Sequence, residues 1–377
     1  MARILDGTAL VLMSLSLAAF APGAIAEPAE PPKIASVLTI SDHDADVWSA
    51  TYNTDGSRIL TASADRTARV WDAKTGQELL KLTGHEEAVR HAAYNPLSTL
   101  IVTASRDATA RLWDAQSGKQ LAVLGGHELM VEHAEFSHDG QRIVTIPHDK
   151  TAKLWDGKTG APIADLVGHT AYMTWGEFSP DSSLLVTTSS DESARVWDGK
   201  TGAPLHTLAG HTGMVSYAMF SPDGARIITG STDKTAKIWD SKTGKELLTI
   251  PGGHTRAVLR VAFSPDGKRV MTGGADKVAK IWDAETGALI VTLQGGHKRI
   301  LSVAHFSRDG RYVITAAHDK SARLWDANTG QMLAVLGEHT KEVDTAEFSP
   351  DATHILTSSF DGLVKVWPLP PRPQADN

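Results

Sequence analysis

The residues best suited to chemistry in this sequence are eight histidines, each followed at fixed distances by a threonine, an aspartate and a tryptophan. In one set, Thr103, Asp107 and Trp113 stand 18, 22 and 28 residues after His85. Imidazole, hydroxyl and carboxylate groups could form a hydrolase triad, or could pair in a buried hydrogen-bond network. The sets are His43, Thr61, Asp65, Trp71; His85, Thr103, Asp107, Trp113; His127, Thr145, Asp149, Trp155; His169, Thr187, Asp191, Trp197; His211, Thr229, Asp233, Trp239; His254, Thr272, Asp276, Trp282; His297, Thr315, Asp319, Trp325; and His339, Thr357, Asp361, Trp367.

The repeat unit of 42 or 43 residues indicates how these residues are positioned. A period near 40 with four strand-like segments per unit is typical of a β-propeller, whose units bury their faces only by stacking on neighbours. In the second unit the turn residues Asn95-Pro96 and Ser117-Gly118 separate short apolar or alternating segments. These predicted strands are 89–94, 99–105, 109–113 and 120–124. The sequence predicts an all-β fold with eight blades over residues 33–368.

The dipeptides Gly84-His85 and Trp113-Asp114, repeated round the chain, resemble those of WD40 (β-transducin-type) repeat proteins. The resemblance covers about nine-tenths of the chain. It implies that an N-terminal strand, here within Ile34 to Ile40, closes the last blade. Asp42, Glu338 and Pro368 depart from the repeat pattern at this closure.

The resemblance also implies that the His, Thr, Asp and Trp sets are structural. An eightfold-repeated triad is implausible as catalysis, whereas each blade needs its buried polar atoms satisfied. We therefore interpret His85, Thr103, Asp107, Trp113 and their equivalents as a structural hydrogen-bond network. The near-equal length of the units leaves no inserted lid or domain to build an active site. We expect no enzyme activity, catalytic residue, cofactor or metal.

The two ends of the chain differ from the repeats. Residues 1–26 contain an apolar run and end in Ala24-Ile25-Ala26, which predicts a signal peptide cleaved before Glu27. Residues 27–32 are expected to form a linker, and residues 369–377 a proline-rich tail. These features predict a periplasmic or secreted protein of the exported bacterial type, without stable membrane insertion.

Composition limits the partners and the chemistry. The 37 Lys and Arg against 44 Asp and Glu give a net charge of −7, so no global basic field favours nucleic acid. The absence of cysteine excludes thiol catalysis and thiolate zinc sites. A closed ring hides most strand edges, and we expect a monomer.

The resemblance places partner contacts on the top face, at three positions of each unit: three and five residues after the histidine and one before the aspartate. An apolar arc there would include Met130, Met214 and Ile300. Aromatic and arginine side chains supply much of the binding energy at protein interfaces. Scattered surface residues without function are the alternative interpretation. The predicted partner-binding residues are Trp48, Phe360, Arg90, Arg106, Glu132, Tyr172, Leu259 and Asp344.

Two further sets of repeat positions carry polar or ring-bearing residues, and the first set could line the central channel. Polar residues eight after the histidine could hold a cation, although solvated side chains are the simpler explanation. Those residues are Glu135, Glu177, His305 and Glu347. The ring-bearing residues six after the histidine are interpreted as packing between blades rather than as a cofactor stack. They are His91, His133, Trp175 and Tyr217.

The sequence thus favours a non-catalytic scaffold that binds a protein or peptide on its top face. The alternative is an exported propeller hydrolase, or a protein that binds a small ligand or metal.

Overall fold

The computed structural model describes residues 31–251 and 253–370. These residues form 32 strands in eight four-stranded antiparallel sheets, which confirms the predicted eight-bladed propeller. The predicted signal peptide (1–26) lies outside the described residues, as do most of the linker (27–32) and of the tail (369–377). No helix long and apolar enough to cross a membrane occurs in the described part of the chain.

Each blade is numbered by its repeat, and its strands run in chain order from the central channel outwards. The innermost strands are β2 (Val47–Tyr52), β6 (Val89–Tyr94), β10 (Val131–Phe136), β14 (Met173–Phe178), β18 (Val215–Phe220), β22 (Val258–Phe263), β26 (Leu301–Phe306) and β30 (Val343–Phe348). The second strands are β3 (Arg58–Ser63), β7 (Leu100–Ser105), β11 (Arg142–Pro147), β15 (Leu184–Ser189), β19 (Arg226–Ser231), β23 (Arg269–Gly274), β27 (Tyr312–Ala317) and β31 (His354–Ser359).

The outer half of each blade contains its third and fourth strands. The third strands are β4 (Ala68–Asp72), β8 (Ala110–Asp114), β12 (Thr151–Asp156), β16 (Ser193–Asp198), β20 (Ala236–Asp240), β24 (Ala279–Asp283), β28 (Ser321–Asp326) and β32 (Val364–Pro368). The outermost strands are β5 (Glu78–Leu82), β9 (Gln120–Leu124), β13 (Pro162–Val167), β17 (Pro204–Ala209), β21 (Glu246–Ile250), β25 (Leu289–Leu293), β29 (Met332–Leu336) and, for blade 8, β1 (Leu38–Ile40).

The hydrophobic core lies between neighbouring blades rather than within one blade. Leu60 and Val70 of blade 1 pack in one cluster with Val89, Ile101 and Trp113 of blade 2. An apolar face of a sheet is stable only when covered, so each blade depends on both neighbours.

The ring closes between the two ends of the chain, as predicted. Strand β1 pairs antiparallel with β32, and Leu38 lies opposite Val366. Glu338, which replaces the usual glycine, accepts hydrogen bonds from Ser36 Oγ (2.6 Å) and Lys365 Nζ (3.1 Å). This departure from the repeat therefore ties the N-terminal segment to blade 8.

Pro368 departs from the repeat because blade 8 needs no turn there. In blade 1, Asp72 Oδ1 accepts hydrogen bonds from the amide (2.7 Å) and hydroxyl (2.8 Å) of Thr75. Gly76 follows at φ 72°, a left-handed conformation that suits glycine. The aspartate thus shapes the turn into the fourth strand. In blade 8 the fourth strand is β1, so no such turn is made.

The N-terminal segment also contacts blade 7. The amide of Ile34 donates to the carbonyl of Val335 (3.1 Å), and the amide of Val335 donates to the carbonyl of Pro32 (3.0 Å). Lys33 is thereby bridged to Val335 in parallel orientation. The predicted closing strand, Ile34 to Ile40, is consequently shorter than expected, because its first residues lie along β29 instead.

Candidate functional site

The repeated histidine, threonine, aspartate and tryptophan meet in every blade. His Nε2 lies 2.7–2.9 Å from Thr Oγ1 in all eight sets. Trp Nε1 donates to the same oxygen at 2.8–3.0 Å. In seven blades His Nδ1 lies 2.7–3.1 Å from the aspartate. One aspartate, one imidazole and one indole are thus connected through each threonine.

The protonation of this network follows from burial and from its hydrogen bonds. Burial opposes ionisation of Asp107, but its bonds from His85 and Thr109 outweigh that effect and hold its pKa well below the usual range. Burial lowers the pKa of His85. The imidazole is therefore neutral beside an ionised carboxylate, so Nδ1 donates to Asp107 and Nε2 accepts the hydroxyl proton of Thr103.

The same geometry would suit a hydrolase triad. The accessibility of the threonine hydroxyl distinguishes a catalytic role from a structural one. The Thr103 side chain is 0% exposed, and its oxygen already accepts the indole N–H of Trp113. A nucleophile must reach a substrate carbonyl. The buried position of Thr103 therefore favours a structural role for the set.

Blade 3 is the one of the eight blades in which the histidine and aspartate are separated. His127 Nδ1 lies 3.6 Å from Asp149 Oδ2 and makes no hydrogen bond, although the histidine is buried. In blade 2 the hydroxyl of Ser105 accepts the amide of the repeat aspartate, whereas blade 3 has Pro147 at the equivalent position. The amide of Met173 in blade 4 instead binds the carbonyl of Asp149. The missing hydroxyl does not explain the separation by itself, because blades 6 and 7 have Gly274 and Ala317 at this position and keep the contact between histidine and aspartate.

A β-bulge at the same point of every innermost strand controls the mouth of the channel. The register shifts between the residues four and six after the histidine in all eight blades. The residue five after the histidine is left without a partner, and a bulge of this kind re-aims its side chain. Those eight residues are Trp48, Arg90, Glu132, Thr174, Ser216, Leu259, Ser302 and Asp344.

The other two predicted positions of each unit, three residues after the histidine and one before the aspartate, are joined by a hydrogen bond on the loops above the channel mouth. The amide of the residue before the aspartate donates to the carbonyl of the residue three after the histidine in every blade, as Arg106 does to Ala88 at 2.9 Å. We call the surface formed by these loops and the bulge residues the top face.

Blades 1 to 3 form a connected cluster on the top face. The guanidinium groups of Arg90 and Arg106 both pack on the ring of Trp48, at 4.2 and 4.6 Å from the ring centroid. Arg90 also pairs with Glu132. Burial opposes ionisation of Glu132, but its bonds to Arg90 prevail and lower its pKa. Trp48 is 8% exposed, so the exposed part of this cluster is chiefly Arg106.

The cluster continues into blades 4 and 5. His148 Nε2 lies 3.7 Å from Glu132 Oε2, and the His148 ring lies 6.1 Å from that of Tyr172. The Tyr172 hydroxyl lies 3.6 Å from Met214 Sδ, and Tyr172 is 49% exposed. Charged and apolar groups therefore form one connected surface from blade 1 to blade 5. We call this surface the belt, and its residues are Trp48, Arg90, Arg106, Glu132, His148, Tyr172 and Met214.

The remaining predicted residues lie apart from this belt. The Phe360 ring contacts His318 of blade 7 at 6.4 Å, whereas Trp48 contacts blade 2, so the two aromatic rings face opposite neighbours. Leu259 is half-buried. Burial raises the pKa of Asp344, although Arg90 and Arg260 attract its charge. Arg260, which stacks 5.3 Å from the Tyr217 ring, was not predicted for the site.

The ring-bearing residues of the channel wall stack from blade to blade. Centroids are 4.2 Å apart for His91 and His133, 4.1 Å for His133 and Trp175, and 4.3 Å for Trp175 and Tyr217. His91 Nδ1 also lies 3.0 Å from the carbonyl of Ala134 in the next blade. These contacts support the packing interpretation.

The glutamates of the channel wall also link neighbouring blades. Glu135 accepts the amide of Phe178 at 3.3 Å, and Glu347 accepts the amide of Tyr52 at 2.6 Å. Burial raises the pKa of Glu135 to about 8 and that of Glu347 to about 7. No group of three or more His, Asp or Glu among the described residues is arranged to hold a metal ion.

Glu135 makes stability depend on pH. The folded chain keeps this carboxyl protonated up to about pH 8, whereas the unfolded chain releases the proton near 4.5. The stability contributed by the protonated carboxyl of Glu135 is therefore fully present below about pH 4.5 and is lost as the pH rises through 8. We expect Glu135→Gln to gain stability relative to the wild type between pH 5 and 9 by more than about 1.4 kcal/mol, the equivalent of one pKa unit. The free energy of unfolding, measured with urea at pH 5 and at pH 9, gives this gain. The control is Glu128→Gln, which changes an exposed glutamate. The prediction is contradicted if the free energy of unfolding changes equally between the two pH values in the wild type and in both variants.

Comparison with known proteins agrees with the propeller geometry. The WD40 family (WD domain, G-beta repeat) matches residues 35–72, 76–114, 118–156, 160–198, 202–240, 244–283, 287–326 and 330–368. The chain belongs to the WD40 family.

Curated relatives match over single repeats. The serine-threonine kinase receptor-associated protein of Homo sapiens is 50% identical over 44 residues, 12% of this chain and 13% of that protein. The U3 small nucleolar RNA-associated protein 12 of Saccharomyces cerevisiae is 46% identical over 43 residues, 11% of this chain and 5% of that protein. The match thus spans about an eighth or less of the length of either relative.

A solved structure matches nearly the whole ring. The crystal structure of the computationally designed Ika8 protein has a TM-score of 0.79 and 28% sequence identity, and covers 89% of this chain and 99% of that chain.

Proposed function

We propose that this chain is a non-catalytic scaffold, exported to the periplasm or the cell exterior as a monomer, that binds a protein or peptide partner over its top face. The observation that carries the proposal is the bulge repeated in all eight blades, which aims eight side chains of seven residue types at one channel mouth. The scaffold positions are alike in every blade, so these variable positions are where specificity resides.

The belt across blades 1 to 5 supports recognition of a peptide with mixed charge. Trp48 and its two arginines are already ordered in the unbound protein, so a partner would lose little entropy in fixing them. Arg106 of blade 2 has no carboxylate within ion-pair distance in the described part of the chain, and Tyr172 of blade 4 is exposed. A partner segment with an acidic residue over blade 2 and an apolar residue over blade 4 would match these two groups.

The names of the relatives support a role in assemblies. One is described as associated with a receptor and the other with a small nucleolar RNA. Their shared feature with this chain is the repeat, and we extend only the scaffold role to it, with a protein or peptide as partner and no nucleic acid. The exported location rests on the predicted signal peptide at residues 1–26.

A double variant of the top face tests the proposal. We expect Arg106→Ala with Tyr172→Ala to weaken partner binding by roughly 30- to 1,000-fold, since two interface anchors cost about 1–2 kcal/mol each. Trp48 is a poorer choice because its removal would also release two packed arginines. The measurement is a tagged pull-down from the native cell envelope, followed by titration of the captured partner.

The matched control is Leu247→Ala, an exposed residue of the outermost strand of blade 5. Loss of the partner from the double variant alone supports a top-face site. An unchanged partner in the double variant would place the site elsewhere on the propeller, and capture of no partner by the wild type would favour a small-ligand or enzyme function.

A further inference from the structure

The outer edge of blade 7 already binds an extended segment, supplied by the chain itself. Val335 of β29 uses both its amide and its carbonyl to bind Ile34 and Pro32. Ile34 and Leu333 each pack against the core cluster between blades 7 and 8. Both Leu333 and Val335 are consequently only partly exposed. This arrangement is strand addition to a sheet edge, in which backbone groups give affinity and alternate side chains give specificity.

The same five residues form the outer edge of blade 2, where nothing covers them in the described chain. Leu-Ala-Val-Leu-Gly occurs at 333–337 and again at 121–125. In blade 2, Leu121 is 45% exposed and Val123 is 48% exposed. Within residues 31–251 and 253–370, β9 pairs only with β8.

The register of the two edges is also the same. Val335 lies opposite Arg323 in blade 7, and Val123 lies opposite Arg111 in blade 2. Because the amide and carbonyl of Val335 point away from its own sheet, those of Val123 do so as well. Blade 2 therefore presents the backbone groups that hold the N-terminal segment on blade 7.

The outer edges of the first blade and of the third to sixth blades carry a polar or charged residue at the position of Val123. The residues equivalent to Val123 in blades 1 and 3 to 6 are Lys81, Asp165, Thr207, Thr249 and Thr292. Charged side chains on an edge strand are a common defence against strand pairing. Asp165 and Thr249 also bind lysines of the neighbouring strand, at 2.7 and 2.8 Å. Only blade 2 combines the apolar residues of blade 7 with an uncovered edge in the described structure.

We propose that the outer edge of blade 2 is a second binding site, which accepts an extended segment of a partner protein. The segment lies parallel to β9, hydrogen-bonds both backbone groups of Val123 and covers Leu121 with a branched aliphatic side chain. By analogy with Pro32 and Ile34, its sequence has a proline followed two residues later by isoleucine or valine. The site is independent of the top face.

The chain's own segment is the probe for this site. A fluorescent peptide with the sequence of residues 29–38 should bind the wild-type protein saturably, since its cis copy binds the same pentapeptide. We expect Val123→Lys to weaken that binding by at least about tenfold, because the lysine lies where the added strand must pack. Blade 1 carries Lys81 at this position within an ordered strand, so the variant should fold.

The control is Leu247→Lys, which places the same charge on the exposed edge of blade 5 and should leave peptide binding unchanged. Absence of saturable binding to the wild type would overturn the proposal. Equal binding by wild type and Val123→Lys would also overturn it. A loss seen in Val335→Lys but not in Val123→Lys would show that the peptide displaces its cis copy on blade 7, which again contradicts a site on blade 2.

Discussion

Replacing Thr187 by valine is expected to lower the free energy of unfolding by roughly 2–6 kcal/mol, because two buried groups each lose a partner worth about 1–3 kcal/mol. The indole of Trp197 donates to Thr187 Oγ1 at 2.8 Å, and His169 Nε2 lies 2.9 Å from the same oxygen. Both rings are buried, so water cannot replace the hydroxyl without rearrangement. Urea unfolding followed by tryptophan fluorescence measures the loss.

The control for Thr187→Val is Thr207→Val, the same chemical change on the exposed outermost strand of blade 4. Surface substitutions of this kind usually change stability by less than about 0.5 kcal/mol. If the two variants were equally stable, the hydroxyl would not be needed to hold the histidine and tryptophan. The structural interpretation of the repeated set would then fail.

Replacing Ile40 by aspartate is expected to cost more than about 4 kcal/mol, because the substitution buries an unpaired charge. Ile40 is 3% exposed and packs with Val47, Trp71 and Val364 where blade 8 meets blade 1. Loss of this contact detaches β1 from β32 and opens the ring. The midpoint of urea unfolding and the rate of cleavage near residue 40 by a protease both report the opening.

Thr39→Asp is the matched control for Ile40→Asp. Thr39 is exposed on the same strand and accepts a hydrogen bond from Lys365 Nζ at 3.1 Å, so a carboxylate there is tolerated. Comparable losses in both variants would attribute the effect to charge on the strand rather than to the closing contact.

Most of the fold could be predicted because the repeat specifies each blade separately. The strands predicted at 89–94 and 120–124 coincide with β6 and β9, since turn residues mark their ends. The closing strand was less well predicted. The apolar pattern from Ile34 to Ile40 suits either of two edges, and the chain divides it between blade 7 and blade 8.

The candidate site could be located but not assembled from the sequence. Repeat positions place Trp48 and Phe360 on adjacent blades, yet they do not tell which neighbour each ring contacts. The bulge that brings Trp48 into contact with Arg90 and Arg106 depends on how two strands pair, and no single residue of the sequence indicates that pairing. The separation of His127 from Asp149 likewise arises from contacts with the next blade.

The pairing of β1 with β32 also determines when the protein can finish folding. Leu38 precedes the first repeat histidine and Val366 lies in the last repeat, so their contact spans the sequence of the whole propeller. Contacts between residues that are distant in sequence form slowly, and Leu38 is synthesised long before Val366. A nascent chain stopped before Val364 would carry an unpaired first strand and an incomplete eighth blade. Ring closure is therefore a late step of folding, and every blade formed earlier lacks the support of a complete ring until the eighth repeat has been synthesised.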